Sequence, residues 1–293
     1  MQVLISVSCD GSAVADHFRA LAGEMKRRGH RVTMATWGKD GERHWAPEGV
    51  ELVRYPSRRP TGWADIRFSY RLMKDRGIDC VIANFGAENA NAVAAWWAGV
   101  PVRVLWCRTL LRQILLDRGG VDLAFLVQFL RKRMVYGLAT KVVGNAAGTA
   151  RELRRIWKLP ESKVAMFWNS IPDPGVVVPG VPQRLPERIL CPGRLHPSKG
   201  QEALIRALPA VLREAPGVEV VFAGGGTERE ALERLARELG IGETVTFTGA
   251  LPRADLLRAM AEAAVVVVPS RDEAFGLVNI EAMAMGTPVV ASR

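Results

Sequence analysis

No Asp-x-Asp pair occurs anywhere in the 293 residues, so the chain lacks the neighbouring carboxylates that would hold a divalent metal on a phosphate. Cysteine is scarce. Cys9, Cys80, Cys107 and Cys191 stand apart with no CxxC spacing, which points away from a zinc site or a disulfide framework and fits a reduced, cytosolic protein. Long apolar runs are missing as well: none approaches the roughly 18 residues of a membrane span. The opening MQVLISVS has no basic flank and reads as a first strand rather than a signal peptide. The expectation is a cytoplasmic protein, peripheral on the inner face of a membrane if it meets one. GxGxxG is absent too. Gly224-Gly225-Gly226 sits at a strand end without the third glycine, and no acidic residue ends the following strand, which argues against a bound NAD.

What is present is a chain of 48% apolar and 24% charged residues, the composition of a globular protein long enough for two domains. Its net charge of +10 is unevenly spread. Residues 1–183 hold 27 Lys and Arg against 16 Asp and Glu, a balance of +11, whereas residues 184–293 hold 13 against 14. The clusters Lys26-Arg27-Arg28, Arg58-Arg59, Arg131-Lys132-Arg133 and Arg151 to Lys158 carry the excess. Each alone reads as a solvated helix face. Together they suggest that this half meets something anionic, a phospholipid surface or a phosphorylated acceptor ahead of nucleic acid.

The first half alternates VLISVS, a helix over 14–28 closed by Gly29, then RVTMAT, CVIANF, PVRVLW and KVVGN as short buried strands between helical stretches. That is the pattern of a parallel sheet with helices on both faces. Residues 172–187 carry five prolines and form a linker that excludes a helix or a central strand. The alternation then repeats through RILCPGRL, VEVVFAG, VTFTG and VVVV. The expected organisation is α/β: a Rossmann-like domain over 1–171, the linker 172–187 and a second Rossmann-like domain over 188–293, both doubly wound and facing a cleft. The ending GTPVVASR follows a strand directly and reads as a truncation, leaving the second domain incomplete.

Three segments carry candidate chemistry. In PGRLHPSKG, Arg194 and Lys199 stand five apart in a Gly/Pro-rich loop ahead of a helix; a planar fork and a point charge there suit a diphosphate. An ordinary surface loop accounts for this segment equally well on its own. Gly224, Gly225 and Gly226 would let a backbone approach a ligand closely. In PSRDEAFGLVNIEAMAMG, Glu273 lies in a strand-to-helix turn and Glu281 on the helix beyond, and the amides of Phe275, Gly276 and Leu277 point along the helix start. Taken alone, Glu281 reads as a satisfied helix carboxylate.

The order GRLHPSKG, AGGG, VTFTG and VPSRDEAFGLVNIEAMAMGTPVVAS resembles the retaining glycosyltransferases of family 4, which have the GT-B fold. The Glu-x7-Glu element and EAMAMGTPVVAS are its specific part. The likeness covers 188–293 and extends more weakly through RRGHRVTMAT, AGVPVRVLW and LPESKVAMFWNSIPD. It implies a transferase moving a sugar from a nucleotide-sugar donor to a glycan or lipid-linked acceptor. Arg194 and Lys199 would hold the diphosphate, Glu273 with Phe275, Gly276 and Leu277 the donor sugar, and Glu281 the ribose. Glu273, Arg194 and Lys199 are the expected catalytic set, with no metal and no cofactor. The two glutamates are then hydroxyl receptors on one donor, not the opposed acid–base pair of a glycoside hydrolase.

The sequence departs from the family in two places. The Gly-Gly turn after the first strand is replaced by Cys9-Asp10-Gly11-Ser12, where Gly11 keeps the close approach. The histidine several members carry after the GVP strand is replaced by Trp106-Cys107-Arg108. Arg108 or Arg112 is then the candidate for an anionic acceptor, and His17 reads as structural. A non-catalytic nucleotide-sugar-binding protein is the competing reading.

Overall fold

The computed structural model describes residues 1–9, 12–37, 45–171, 173, 178, 180 and 183–292. The chain forms two compact units, Met1–Thr109 with Val121–Ser170 and Leu110–Gly120 with Ile171–Arg293. Both are parallel α/β layers, as the alternation requires.

The first unit contains β1 (Gln2–Ser8), α1 (Ala13–Arg27), β2 (Arg31–Trp37), β3 (Glu51–Arg54), α2 (Trp63–Asp75), β4 (Cys80–Asn84), α3 (Glu88–Ala98) and β5 (Val102–Cys107). After an excursion it resumes with α5 (Leu123–Leu138), β6 (Lys141–Gly144), α6 (Ala147–Arg155) and β7 (Val164–Met166); the excursion is α4 (Leu111–Arg118). The sheet order is β3-β2-β1-β4-β5-β6-β7, with every pair parallel. The short edge strands β3 and β7 escape a periodicity reading because four or three residues are too few to show alternation.

The pleat assigns faces. Val3, Ile5 and Val7 pack with Phe18 and Ala22 of α1, alongside Val32 and Met34. Ser6 points the other way, where Asn91 of α3 donates from Nδ2 to its Oγ at 3.1 Å and to the Tyr55 hydroxyl at 2.7 Å. A strand covered on both sides must be apolar on both faces or pair its polar groups, and β1 does both.

The second unit contains β8 (Leu185–Pro192), α7 (Gln201–Glu214), β9 (Glu219–Ala223), α8 (Arg229–Glu238), β10 (Val245–Gly249), α9 (Arg253–Glu262), β11 (Ala263–Val268), α10 (Leu277–Ala284) and β12 (Val289–Ala291). The parallel order is β10-β9-β8-β11-β12. Cys191, Val220 and Phe222 face Ile205 and Leu208 of α7 and Leu232 of α8. Leu190 and Val266 face Leu257 and Met260 of α9 and Ala282 of α10.

Two features differ from expectation. The central strand β8 begins at Leu185, inside the stretch read as linker. Pro186 is tolerated because pairing with β11 is irregular between Leu185 and Ile189, and pairing with β9 starts only at Arg188. Helix α4, inside the stretch assigned to the first domain, segregates with the second unit because its Asp117 is bonded there. Among the described residues, no helix is long and apolar enough to cross a membrane.

Candidate functional site

In the second sheet the strand order reverses at β8: β9 and β10 lie to one side, β11 and β12 to the other. Ligands of open α/β sheets bind beyond the carboxyl ends of the strands at such a point. The loops leaving β8 and β11 are the two that carry Arg194, Lys199 and Glu273.

The fold brings part of this set together. Lys199 Nζ donates to Glu273 Oε2 at 2.6 Å, with both side chains partly buried, and Ser270 Oγ donates to the same oxygen at 3.3 Å. Arg194 is exposed, and its guanidinium has no partner among the described residues. The loop's backbone is pinned elsewhere: Gln201 Nε2 donates to the Arg194 carbonyl at 3.0 Å, and the Arg271 amide to the Ser198 carbonyl at 2.8 Å. Its other support is α4, where Asp117 Oδ1 accepts from the Ser198 amide at 3.0 Å. Arg112, read as a candidate acceptor contact, also acts electrostatically on Asp272. Burial pushes that carboxyl above its usual range, against the pull of Arg112, the Gln113 backbone and Lys199.

Gly276 caps α10 with φ 77°, a left-handed conformation that disfavours any side chain, and the helix opens directly at Leu277. The first-turn amides of α10 therefore start at Leu277, directly after the Phe275-Gly276 turn and four residues from Glu273. Glu281, one turn on, is only 3% exposed and accepts from Arg253 Nη1 at 2.8 Å. Arg253 was missed in the sequence. The available signal was a cation in the first turn of α9, where the helix dipole disfavours it unless a specific anion compensates.

The glycine run has a local reason. A Cβ at Gly224 would overlap the Gly193 carbonyl, and one at Gly226 the Leu195 carbonyl, whereas Gly225 faces open space. The Leu195 amide donates to the Gly225 carbonyl at 3.0 Å. Two of the three glycines thus let the β9 loop lie against the Arg194 loop, so their close approach is to protein backbone.

In the first unit, Gly11 lies outside the described residues. Arg108 is buried at the end of β5 rather than at the surface. Its guanidinium lies 5.7 Å from the Phe18 ring centre, and burial brings its pKa down to about 10. His17 is buried among Phe18, Trp106 and Phe167, with ring centres 5.2, 5.4 and 6.1 Å away. Its Nδ1 accepts from the Ser170 amide at 3.0 Å, so the ring proton sits on Nε2. Burial, helped by Arg108, lowers its pKa to about 4.

Around this histidine lie groups that the sequence did not single out. Both side-chain polar atoms of Asn84 and of Asn169, the indole N–H of Trp106 and His17 Nε2 are buried without a hydrogen-bond partner among the described residues. Asn84 and Trp106 are register partners at the carboxyl ends of β4 and β5. Buried polar groups are normally satisfied by protein, ordered water or ligand, so these unpaired atoms are available to a polar partner. The legible signal was a lone amide closing an apolar strand, as in CVIAN.

Known proteins share this order and fold. The model of glycosyltransferase family 4 matches residues 14–173, and that of glycosyl transferases group 1 matches residues 183–293. The chain is 37% identical over 301 aligned residues to an uncharacterized glycosyltransferase of Methanocaldococcus jannaschii, covering 95% of this chain and 76% of that protein. It is 42% identical over 112 residues to a GDP-mannose-dependent alpha-(1-6)-phosphatidylinositol monomannoside mannosyltransferase of Mycolicibacterium smegmatis. That match covers 36% of this chain and 29% of the other, so it spans less than a third of the relative's length. Among solved structures, HepE of Anabaena in complex with UDP and glucose aligns with a TM-score of 0.73 at 20% identity, over 99% of this chain and 80% of that one. The likeness is one of fold, GT-B. By its family match and its similarity to a relative covered over 76% of that protein's length, the chain belongs to glycosyltransferase family 4.

Proposed function

We propose that the chain transfers a sugar from a nucleoside-diphosphate donor to a glycan or lipid-linked acceptor, with retention and without a metal. The observation that carries this reading is the Lys199–Glu273 pair at 2.6 Å beside the open amino end of α10. A lone carboxylate would repel a diphosphate. With Lys199 on one of its oxygens, Glu273 can stand beside the donor and accept from sugar hydroxyls while the ammonium meets phosphate. Arg194 and the first amides of α10 add fixed positive ends where the leaving diphosphate gathers charge, which is the stabilisation a cation would otherwise supply. Glu281, oriented by Arg253, is the ribose receptor. Retention follows from the family resemblance, with attack and departure on one face of the sugar.

The relatives support two bases: a GDP-mannose-dependent enzyme and a protein crystallised with UDP. For the acceptor, the orphaned amides of Asn84 and Asn169 and the Trp106 indole offer neutral donors and acceptors that suit a polyhydroxylated ligand. The balance of +11 over residues 1–183 favours an acceptor held at an anionic lipid surface. The test is turnover of UDP- and GDP-sugars in EDTA with a lipid-linked acceptor, reading the product's anomeric configuration. A product of retained configuration supports the reading. Binding of donor without any turnover supports the non-catalytic alternative.

A further inference from the structure

Helix α5 presents two apolar faces where a helix packed on a sheet needs one. Phe125, Val135 and Tyr136 are buried, and Phe129 stacks on Trp157 at 4.6 Å. Opposite them Leu123, Leu126, Val127, Leu130 and Met134 stand in solvent, with Leu123 77%, Leu130 63% and Met134 70% exposed. At about 100° per residue these five fall in one stripe about 100° wide. Arg131 and Arg133 are exposed on its two sides. Arg133 also donates to the Trp157 carbonyl at 3.4 Å. Lys132, between them in sequence, turns inward to Glu88. The helix itself contains no Asp or Glu, and Asp122 is spent as its N-cap, accepting from the Phe125 amide at 2.6 Å.

We propose that α5 is a membrane-docking helix, whose Leu123–Leu126–Val127–Leu130–Met134 stripe enters the acyl boundary of an anionic leaflet while Arg131 and Arg133 lie at the headgroup phosphates. The inference rests on the lipid-surface reading above and names the element that makes the contact. An apolar stripe rimmed by cations is the pattern of a helix lying in the interfacial plane: the arginine stems cover apolar surface and their heads reach the anions. A second copy of the chain fits less well. Stripe-to-stripe pairing would gather four guanidinium groups around one contact with no carboxylate on either helix. An anionic leaflet supplies the missing counter-charge.

The experiment is co-sedimentation with phosphatidylcholine vesicles, with and without phosphatidylglycerol, of the wild type, Val127→Glu/Leu130→Glu and Arg131→Glu/Arg133→Glu. Both substituted pairs are solvent-exposed and, among the described residues, only the long Arg133–Trp157 hydrogen bond is lost, so thermal unfolding should shift by no more than a few degrees and serves as the folding control. The apolar-stripe variant should lose about tenfold or more in partitioning. The arginine variant should lose binding only to the anionic vesicles, and the loss should shrink at high salt. A Leu130→Cys variant carrying an environment-sensitive dye should brighten and shift to the blue with anionic vesicles alone. If the wild type binds and the stripe variant binds equally, this inference fails while the lipid-surface reading stands. If the wild type ignores both vesicles, both fail. A stripe variant that changes only the sedimentation mass would assign the face to a second copy and overturn the proposal.

Discussion

Lys199 and Glu273 lie 74 positions apart in the chain and meet at 2.6 Å, each on the loop that leaves one of two neighbouring parallel strands. The strand register builds this encounter: β8 and β11 are adjacent at the switch point, so their following loops cannot avoid one another. The pair then has two tasks. It joins the two loops, and under the proposed function it holds a carboxylate in a form that a diphosphate can approach.

Removing the lysine should therefore cost more than removing the neighbouring arginine. On the proposed function, Lys199→Ala would delete a charge-assisted phosphate contact and leave Glu273 to repel the ligand. A loss of about 3 kcal/mol, roughly 100-fold in diphosphate affinity, is expected. Arg194→Ala, deleting one exposed contact, should lose about tenfold. Adding Glu273→Gln to Lys199→Ala should recover part of the loss, and calorimetric titration of the wild type, Lys199→Ala, Glu273→Gln and the double variant closes the cycle. Strict additivity would show that the pair does not act as a unit.

The glycine run separates backbone packing from ligand contact. Gly224→Ala drives a methyl into the Gly193 carbonyl, whereas Gly225→Ala meets nothing. Urea unfolding should show about 1–3 kcal/mol lost for the first and near-neutrality for the second. Equal costs would mean that the loops are not held as described.

Asn84 and Asn169 give a cleaner separation of stability from function. Their amides have no partner among the described residues, so truncation removes a desolvation cost along with some packing. Asn84→Ala and Asn169→Ala should unfold within about 1 kcal/mol of the wild type yet lose transfer to the acceptor. Loss of stability with unchanged turnover would make these residues structural.

His17 sets a pH dependence. Its folded pKa of about 4 lies below the unfolded value of 6.5, so the unfolded chain takes up the proton first. The stability contributed by the neutral ring is fully present above about pH 6.5 and is lost as pH falls toward 4, with a slope on the order of 1 kcal/mol per pH unit. Denaturant unfolding between pH 7 and 4 should show that slope, and His17→Gln should flatten it. A parallel slope in the variant would assign the effect to carboxylates instead.

Much of this was legible in the chain. Apolar strand runs such as VLISVS and VVVV and the glycine stops after helices report local demands of backbone and burial, and they placed both sheets. GRLHPSKG and the Glu-x7-Glu element located the two loops that meet at Lys199 and Glu273 because each is continuous in sequence. What escaped depends on tertiary register. Arg253 reaches Glu281 across 28 positions, and α4 joins the second unit through Asp117 and the Ser198 amide, 81 positions apart. The burial of Arg108 could not be read in the sequence because a buried cation leaves no local mark. The orphaned amides were invisible because satisfaction of a polar group is a property of its surroundings.

The most direct measurement is a thermal-shift panel of UDP, GDP, ADP and CMP with their common sugars, in EDTA, on the wild type, Lys199→Ala and Glu281→Gln. Glutamine keeps an acceptor for Arg253, so the third protein should still fold. The account predicts that one diphosphate raises the unfolding temperature of the wild type by several degrees, does nothing for Lys199→Ala and less for Glu281→Gln. If no diphosphate stabilises the wild type at millimolar concentration, or Lys199→Ala is stabilised equally, the donor site is not where these loops meet.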